Sequence, residues 1–183
     1  MPLTNTRSTY GWVAIALHWI SAIGVIALYL LGEQMEDAPD KVAKAAAQGL
    51  HVSVGALLFT FLLARIFWSL SQSPPASNER NRWFRIAARV VQGLFLLMIA
   101  VLIVTGPLAV WSAPRAIQVF DLFSLPSPFP ARIDWLHGLA EDIHGLATKL
   151  FWPLIVLHIG GALKHLLLDR DETVQRILWV RRT

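Results

Sequence analysis

Four of the six histidines, His18, His51, His144 and His158, lie in or at the edge of long apolar stretches, where an ionisable side chain is costly and commonly functional. His144 and His158 are 14 residues apart. In a helix of 3.6 residues per turn that is nearly four turns, so the two share a face and stand about 21 Å apart along the axis. One helix would then offer an imidazole near each surface of a membrane. Imidazoles that meet in pairs at two depths are the donor set for haem iron held from both sides. Such iron has no open coordination position, which argues for electron transfer at the haem edge and against oxygen binding. Burial and hydrogen bonds to the imidazoles would then tune the potential.

The elements that must position these histidines follow from composition. The chain has 183 residues, 55% of them hydrophobic, with a mean hydropathy of +0.53, more apolar mass than a soluble domain of this size hides. A bilayer core needs about 20 apolar residues per helix, and four blocks qualify, at about 12–31, 50–70, 86–111 and 144–168. The expected fold is all-α, a four-helix transmembrane bundle with two haems between helices, forming a single domain over 1–183. Polar or proline-dotted segments separate the blocks: Glu33 to Asp40, Ser71 to Pro75, and Pro114 to Pro130. The first block is too long for the apolar core of a signal peptide, contains His18, and is followed by Gly32-Glu33 and not by a small-residue cleavage site, so it reads as a retained helix.

Charge sets the orientation. Arg7, Arg65, Arg80, Arg82, Arg85, Arg89, Lys164, Arg170, Arg176, Arg181 and Arg182 fall on one side, and only Lys41, Lys44, Arg115, Arg132 and Lys149 on the other. Cytoplasmic loops carry the excess of Lys and Arg, which puts both termini and the second connection in the cytoplasm. The net charge of +4 is thus a topology signal and calls for no nucleic-acid partner. With no cysteine in the chain, disulfides, all-cysteine iron–sulfur clusters, thiolate-ligated haem and covalent attachment through C-x-x-C-H are all excluded.

Topology also assigns partners by depth. His18 lies about a turn and a half inside the cytoplasmic surface and should meet His158; His51, at the start of the second span, should meet His144, at the start of the fourth. The third span brings no histidine and serves packing. Gly24, Gly55, Gly145, Gly160 and Gly161 lie beside these ligands and could make room for a flat ring, although glycine in membrane helices more often serves close helix packing. His137 and His165 each stand seven residues from a proposed ligand and share its face. Either could replace its neighbour as a ligand, but His137 is expected in the outer connection and His165 beside Lys164 at the cytoplasmic boundary, so His144 and His158 are preferred and the other two are read as interfacial or as contacts to a haem propionate.

With this pattern in hand, the chain resembles the bacterial cytochrome b561 family over nearly its whole length. The carrying segments are Tyr10-Gly11, Leu17-His18-Trp19, Leu50-His51-Val52-Ser53-Val54-Gly55, Ile143-His144-Gly145, Leu157 to His165, and Asp169-Arg170-Asp171-Glu172-Thr173. The resemblance implies a four-helix integral cytochrome with two non-covalent b haems on His18, His51, His144 and His158. It also implies exchange of electrons with membrane quinone; some members resemble oxidases of superoxide that reduce ubiquinone. Some relatives carry a histidine near the start of the third span where this chain has Gln92, so a role for that position does not carry over.

Two competing readings remain. One keeps the haems but makes the chain a membrane anchor and electron-transfer subunit for a separate periplasmic partner. The other, a divalent-metal transporter, fits poorly, since transport sites gather carboxylates near the midplane whereas Glu33, Glu36, Asp37, Asp134, Glu141 and Asp142 are expected in the connections. Those acids, with few outer basic residues, also suit superoxide steering poorly. The tryptophans, Trp179 included, cluster near span ends as interfacial anchors; Pro107 and Pro153 should loosen their helices; and Arg80 to Arg89 with the tail Arg176 to Arg182 should lie along the anionic inner surface.

Overall fold

In the computed structural model, which describes residues 2–178, the chain is mostly helical, at 71%. Trp179, Arg181 and Arg182, expected at the interface, lie outside the described residues. Four long helices account for the expected spans: α1 Trp12–Glu36, α2 Lys41–Ser71, α3 Arg82–Trp111 and α4 Asp134–Leu163. All four are long and apolar enough to cross a membrane, α4 together with the π-helical turn Lys164–Asp169 that extends it. A short α5, Gln175–Leu178, follows.

Each helix outruns its apolar block, because polar residues at the ends continue the helix. Glu33 and Glu36, expected in a connection, lie in the last turns of α1, so the link to α2 is only Asp37 to Asp40. Asp40 starts α2 by accepting from the amides of Val42 and Ala43 at 2.9 and 2.8 Å, satisfying two of the donors a helix start leaves unpaired. Asn81 does the same for α3 through Trp83 at 2.8 Å. Asp134, Glu141 and Asp142 likewise belong to the opening turns of α4, and His51 and His144 stand about ten residues inside their helices, not at the starts. Pro107 and Pro153 both lie within continuous helices.

The proline-dotted stretch after α3 was expected as an irregular connection. It holds a small antiparallel hairpin, β1 Ile117–Val119 and β2 Phe123–Leu125. Buried Ser53 of α2 ties it down, its hydroxyl donating to the Gln118 carbonyl at 3.1 Å and accepting from the Phe120 amide at 2.9 Å. The hairpin thereby folds over the end of the bundle nearest His51.

The helices pack as two tight pairs, α1 on α2 and α3 on α4, joined mainly through α2 and α3. Gly24 makes the first pair close: a Cβ there would stand 2.6 Å from a Leu58 methyl, so Gly24 serves helix contact. The core is a small cluster of Leu62, Ile99 and Phe151, and Phe151 lies midway in sequence between His144 and His158. Large apolar residues such as Ile23, Phe67, Val104 and Val156 point outward. Lipid tails are as apolar as these side chains, so burying them brings no hydrophobic gain.

Candidate functional site

The structure brings the four histidines together in two pairs, both between α4 and the α1–α2 pair. His18 faces His158 with ring centres 6.2 Å apart, and His51 faces His144 with ring centres 6.2 Å apart. A metal about 2.0 Å from each imidazole nitrogen, with each nitrogen about 1.1 Å from its ring centre, requires about 6.2 Å between centres. Both gaps have that width. The ring planes are turned by 54° and 76°; two axial imidazoles both contain the axis through the metal, so their mutual rotation is free to take either value.

Hydrogen bonds set which nitrogen is available at the pair nearer the hairpin. His51 donates from Nδ1 to the Leu28 carbonyl at 3.0 Å. His144 Nδ1 lies 3.0 Å from the Thr105 hydroxyl, which itself donates to the Val101 carbonyl at 2.8 Å. A hydroxyl whose one proton is already committed can only accept from the imidazole. Both rings therefore carry their proton on Nδ1 and offer the lone pair of Nε2, the tautomer that ligating histidines use. Thr105 is buried, and Gly106 beside it leaves room for the ring: a Cβ there would stand 3.4 Å from His144 Cε1. α3 brings no histidine, as expected, yet its Thr105 orients one.

The pair nearer the termini differs. His158 packs against the edge of Phe95, centres 5.4 Å apart, and Phe95 in turn against Phe151. His18 Nδ1 receives a hydrogen bond from Arg65 at 3.3 Å, and the same guanidinium donates to the Ala14 carbonyl at 3.3 Å. Sequence reasoning counted Arg65 only among the charges that set topology. Its position as the one charged residue within the apolar block 50–70 was the signal that could have marked it.

His137 and His165 are occupied elsewhere. His137 is not in a connection but buried in the first turn of α4. Its Nδ1 donates to the Ala109 carbonyl at 2.9 Å, capping the end of α3, and its Nε2 lies 3.4 Å from Glu141. His165, in the π-helical turn, directs Nδ1 to Asp171 at 2.8 Å. Around it Lys164 bridges Glu79, at 2.6 Å, and Asp169. Glu79, His165 and Asp169 could geometrically hold a metal ion, but the ammonium of Lys164 already supplies the cation between the two carboxylates. Outside the spans, the hydrogen bond from Lys164 holds the Glu79 carboxyl below the usual carboxylate range. Burial would raise Asp171, but hydrogen bonds from Thr173 and His165 outweigh it and leave its carboxyl lowered.

The comparisons agree with this architecture. The family profile described as prokaryotic cytochrome b561 matches residues 9–179. The chain is 34% identical over 186 aligned residues to cytochrome b561 homolog 2 of Escherichia coli (strain K12), covering 97% of this chain and 95% of that protein. The family is one of haem b-binding membrane electron-transfer proteins. Matched over almost its whole length, and folded into four helices able to span a membrane, the chain belongs to the prokaryotic cytochrome b561 family.

Proposed function

We propose that the chain, acting as one domain, carries two b-type haems and exchanges electrons with quinone in the bacterial inner membrane. One haem lies between His18 and His158, the other between His51 and His144. The observation that carries this reading is the equal 6.2 Å spacing of the two pairs, the width that a metal between two imidazoles requires. Haem so held supplies one-electron redox chemistry with no open coordination position. Leu28 and Thr105 hold the ligand tautomer at one site, and the apolar cluster of Leu62, Ile99 and Phe151 packs α2, α3 and α4 together around Phe151, midway in sequence between His144 and His158. The excess of Lys and Arg on the side of the termini supports a cytoplasmic location for both ends.

The test is haem content and a dithionite-reduced optical spectrum for the native protein and for separate alanine changes at the four histidines. About two non-covalent low-spin haems are expected from the four-ligand count. One and the same haem should vanish in His18→Ala and His158→Ala, and the other in His51→Ala and His144→Ala. A protein that binds no haem with cofactor supplied, or that contains zinc and no iron, refutes the reading and revives metal transport. Reduction of ubiquinone by the isolated chain tests the quinone partner. Superoxide as electron donor is a weaker reading, because acids outnumber bases around the hairpin side.

A second reading, a haem-bearing anchor for a separate periplasmic donor, draws support from the hairpin, which is tied to Ser53, two residues from His51, and whose Leu122 and Phe123 are exposed. Recovery of a stoichiometric redox protein with the chain in mild detergent would favour it, and quinone reduction by the lone chain would favour the first.

A further inference from the structure

The two imidazole pairs share a spacing but not their surroundings. Behind His51 and His144 stand neutral acceptors, the Leu28 carbonyl and the Thr105 hydroxyl. Behind His18 stands a cation, Arg65, six residues before the end of α2 and half-buried. Among the described residues no carboxylate pairs with it, and its hydrogen-bond partners are the Ala14 carbonyl and the His18 ring.

While that second hydrogen bond stands, His18 cannot ligate through Nε2. A guanidinium only donates, so His18 Nδ1 must accept from it, and the ring proton of the neutral imidazole then resides on Nε2. To offer Nε2 to iron, the ring must carry its proton on Nδ1, where it faces another donor. Arg65 must then turn its N–H groups to a different acceptor while its backbone stays in α2. A b-type haem arrives with two carboxylates, the acceptors that guanidinium matches best.

We infer that Arg65 is the counter-charge of the haem held by His18 and His158, and that it makes this haem the higher in potential of the two. The inference rests on reading the two pairs as haem sites. Ferrous haem carries one positive charge fewer than ferric, so a fixed cation nearby favours the reduced form, the more so where water is excluded. The other site is biased the opposite way. Imidazoles donating from Nδ1 to carbonyl and hydroxyl oxygens are more basic ligands, and more electron donation favours ferric iron. Charge at one end and ligand basicity at the other set the same order.

The experiment is an optical redox titration of the full-length protein in detergent, with the midpoints allotted to the sites through His51→Ala, which keeps only the haem of His18 and His158. The higher midpoint of the native protein should belong to the haem that survives in His51→Ala. Arg65→Gln should lower that midpoint by at least a tenfold change in the ferrous-to-ferric ratio, about 59 mV for one electron. It should leave the other midpoint in place, and Arg65→Lys should stay near the native value. Three results overturn the inference: the higher midpoint belongs to the haem of His51 and His144; Arg65→Gln retains both haems and moves neither midpoint; or it moves both equally. If Arg65→Gln no longer holds the haem, the native order and the Arg65→Lys titration decide, and a reversed order refutes the inference. A native protein that binds no haem refutes the underlying reading itself, a failure distinct from two haems in the wrong order.

Discussion

Removing the Thr105 hydroxyl without changing the shape of the residue isolates the support of His144, one of the four proposed haem ligands. In Thr105→Val the buried Oγ1 that links His144 Nδ1, at 3.0 Å, to the Val101 carbonyl, at 2.8 Å, is lost. The Val101 carbonyl lies within α3 and keeps its helical partner, but the imidazole N–H is left facing a methyl group. An unsatisfied buried donor costs about 1–3 kcal/mol, and the ring is no longer held in the ligating tautomer. Converted at about 1.4 kcal/mol per decade, that is a loss of about 5- to 150-fold in retention of the haem proposed between His51 and His144, a range that brackets the roughly 10- to 100-fold typical of partners that orient metal ligands. Haem transfer to an excess of an apo-haem acceptor, followed optically, measures it. One of two release phases should accelerate, while the haem of His18 and His158 leaves at the native rate. Thr105→Ser keeps the hydroxyl and should stay within a few-fold of native, on the scale of about 1 kcal/mol for a weakened hydrogen bond. If Thr105→Ser is as damaging as Thr105→Val, packing of the methyl group matters and the hydrogen bond does not. If neither changes release, Thr105 has no part in holding His144.

Three further outcomes are expected. His137→Ala removes the cap on the Ala109 carbonyl and should cost about 1–3 kcal/mol in thermal or denaturant melting, yet leave both haems bound; loss of a haem would make His137 a ligand. Gly24→Val should destabilise the α1–α2 contact by about 1–3 kcal/mol through overpacking, because the new Cβ meets Leu58 at 2.6 Å. The companion change Leu58→Ala should restore part of that loss in the same melting assay. Glu79, lowered by its hydrogen bond from Lys164, binds fewer protons folded than unfolded. Its contribution is therefore present above the ordinary carboxyl value, about 4.3, and fades as pH falls through its lower folded value. Melting of the native protein should lose stability across that acid window more steeply than Glu79→Gln, and parallel pH profiles would contradict the pairing.

The number of helices, the membrane setting and the pairing of histidines by depth were legible in the sequence because each depends on one-dimensional spacing. A bilayer demands a minimum apolar length, and 14 residues between His144 and His158 place two imidazoles on one face whatever surrounds them. Helix ends were less legible, since apolar blocks mark where lipid begins and not where backbone hydrogen bonding stops; Glu33, Glu36 and Asp134 continue helices that their charge seemed to interrupt. Contacts between elements distant in sequence were invisible. Nothing in the run around Thr105 says that its hydroxyl will face His144, 39 residues away. Nor does anything around His137 say that it will cap α3, or around Ser53 that it will pin a hairpin 65 residues further on. Arg65 shows the division most clearly. Its charge within an apolar block could be read from the chain, but which histidine it would stand behind depended on how α1 packs on α2, because a guanidinium reaches only the acceptors that helix packing brings within hydrogen-bond distance.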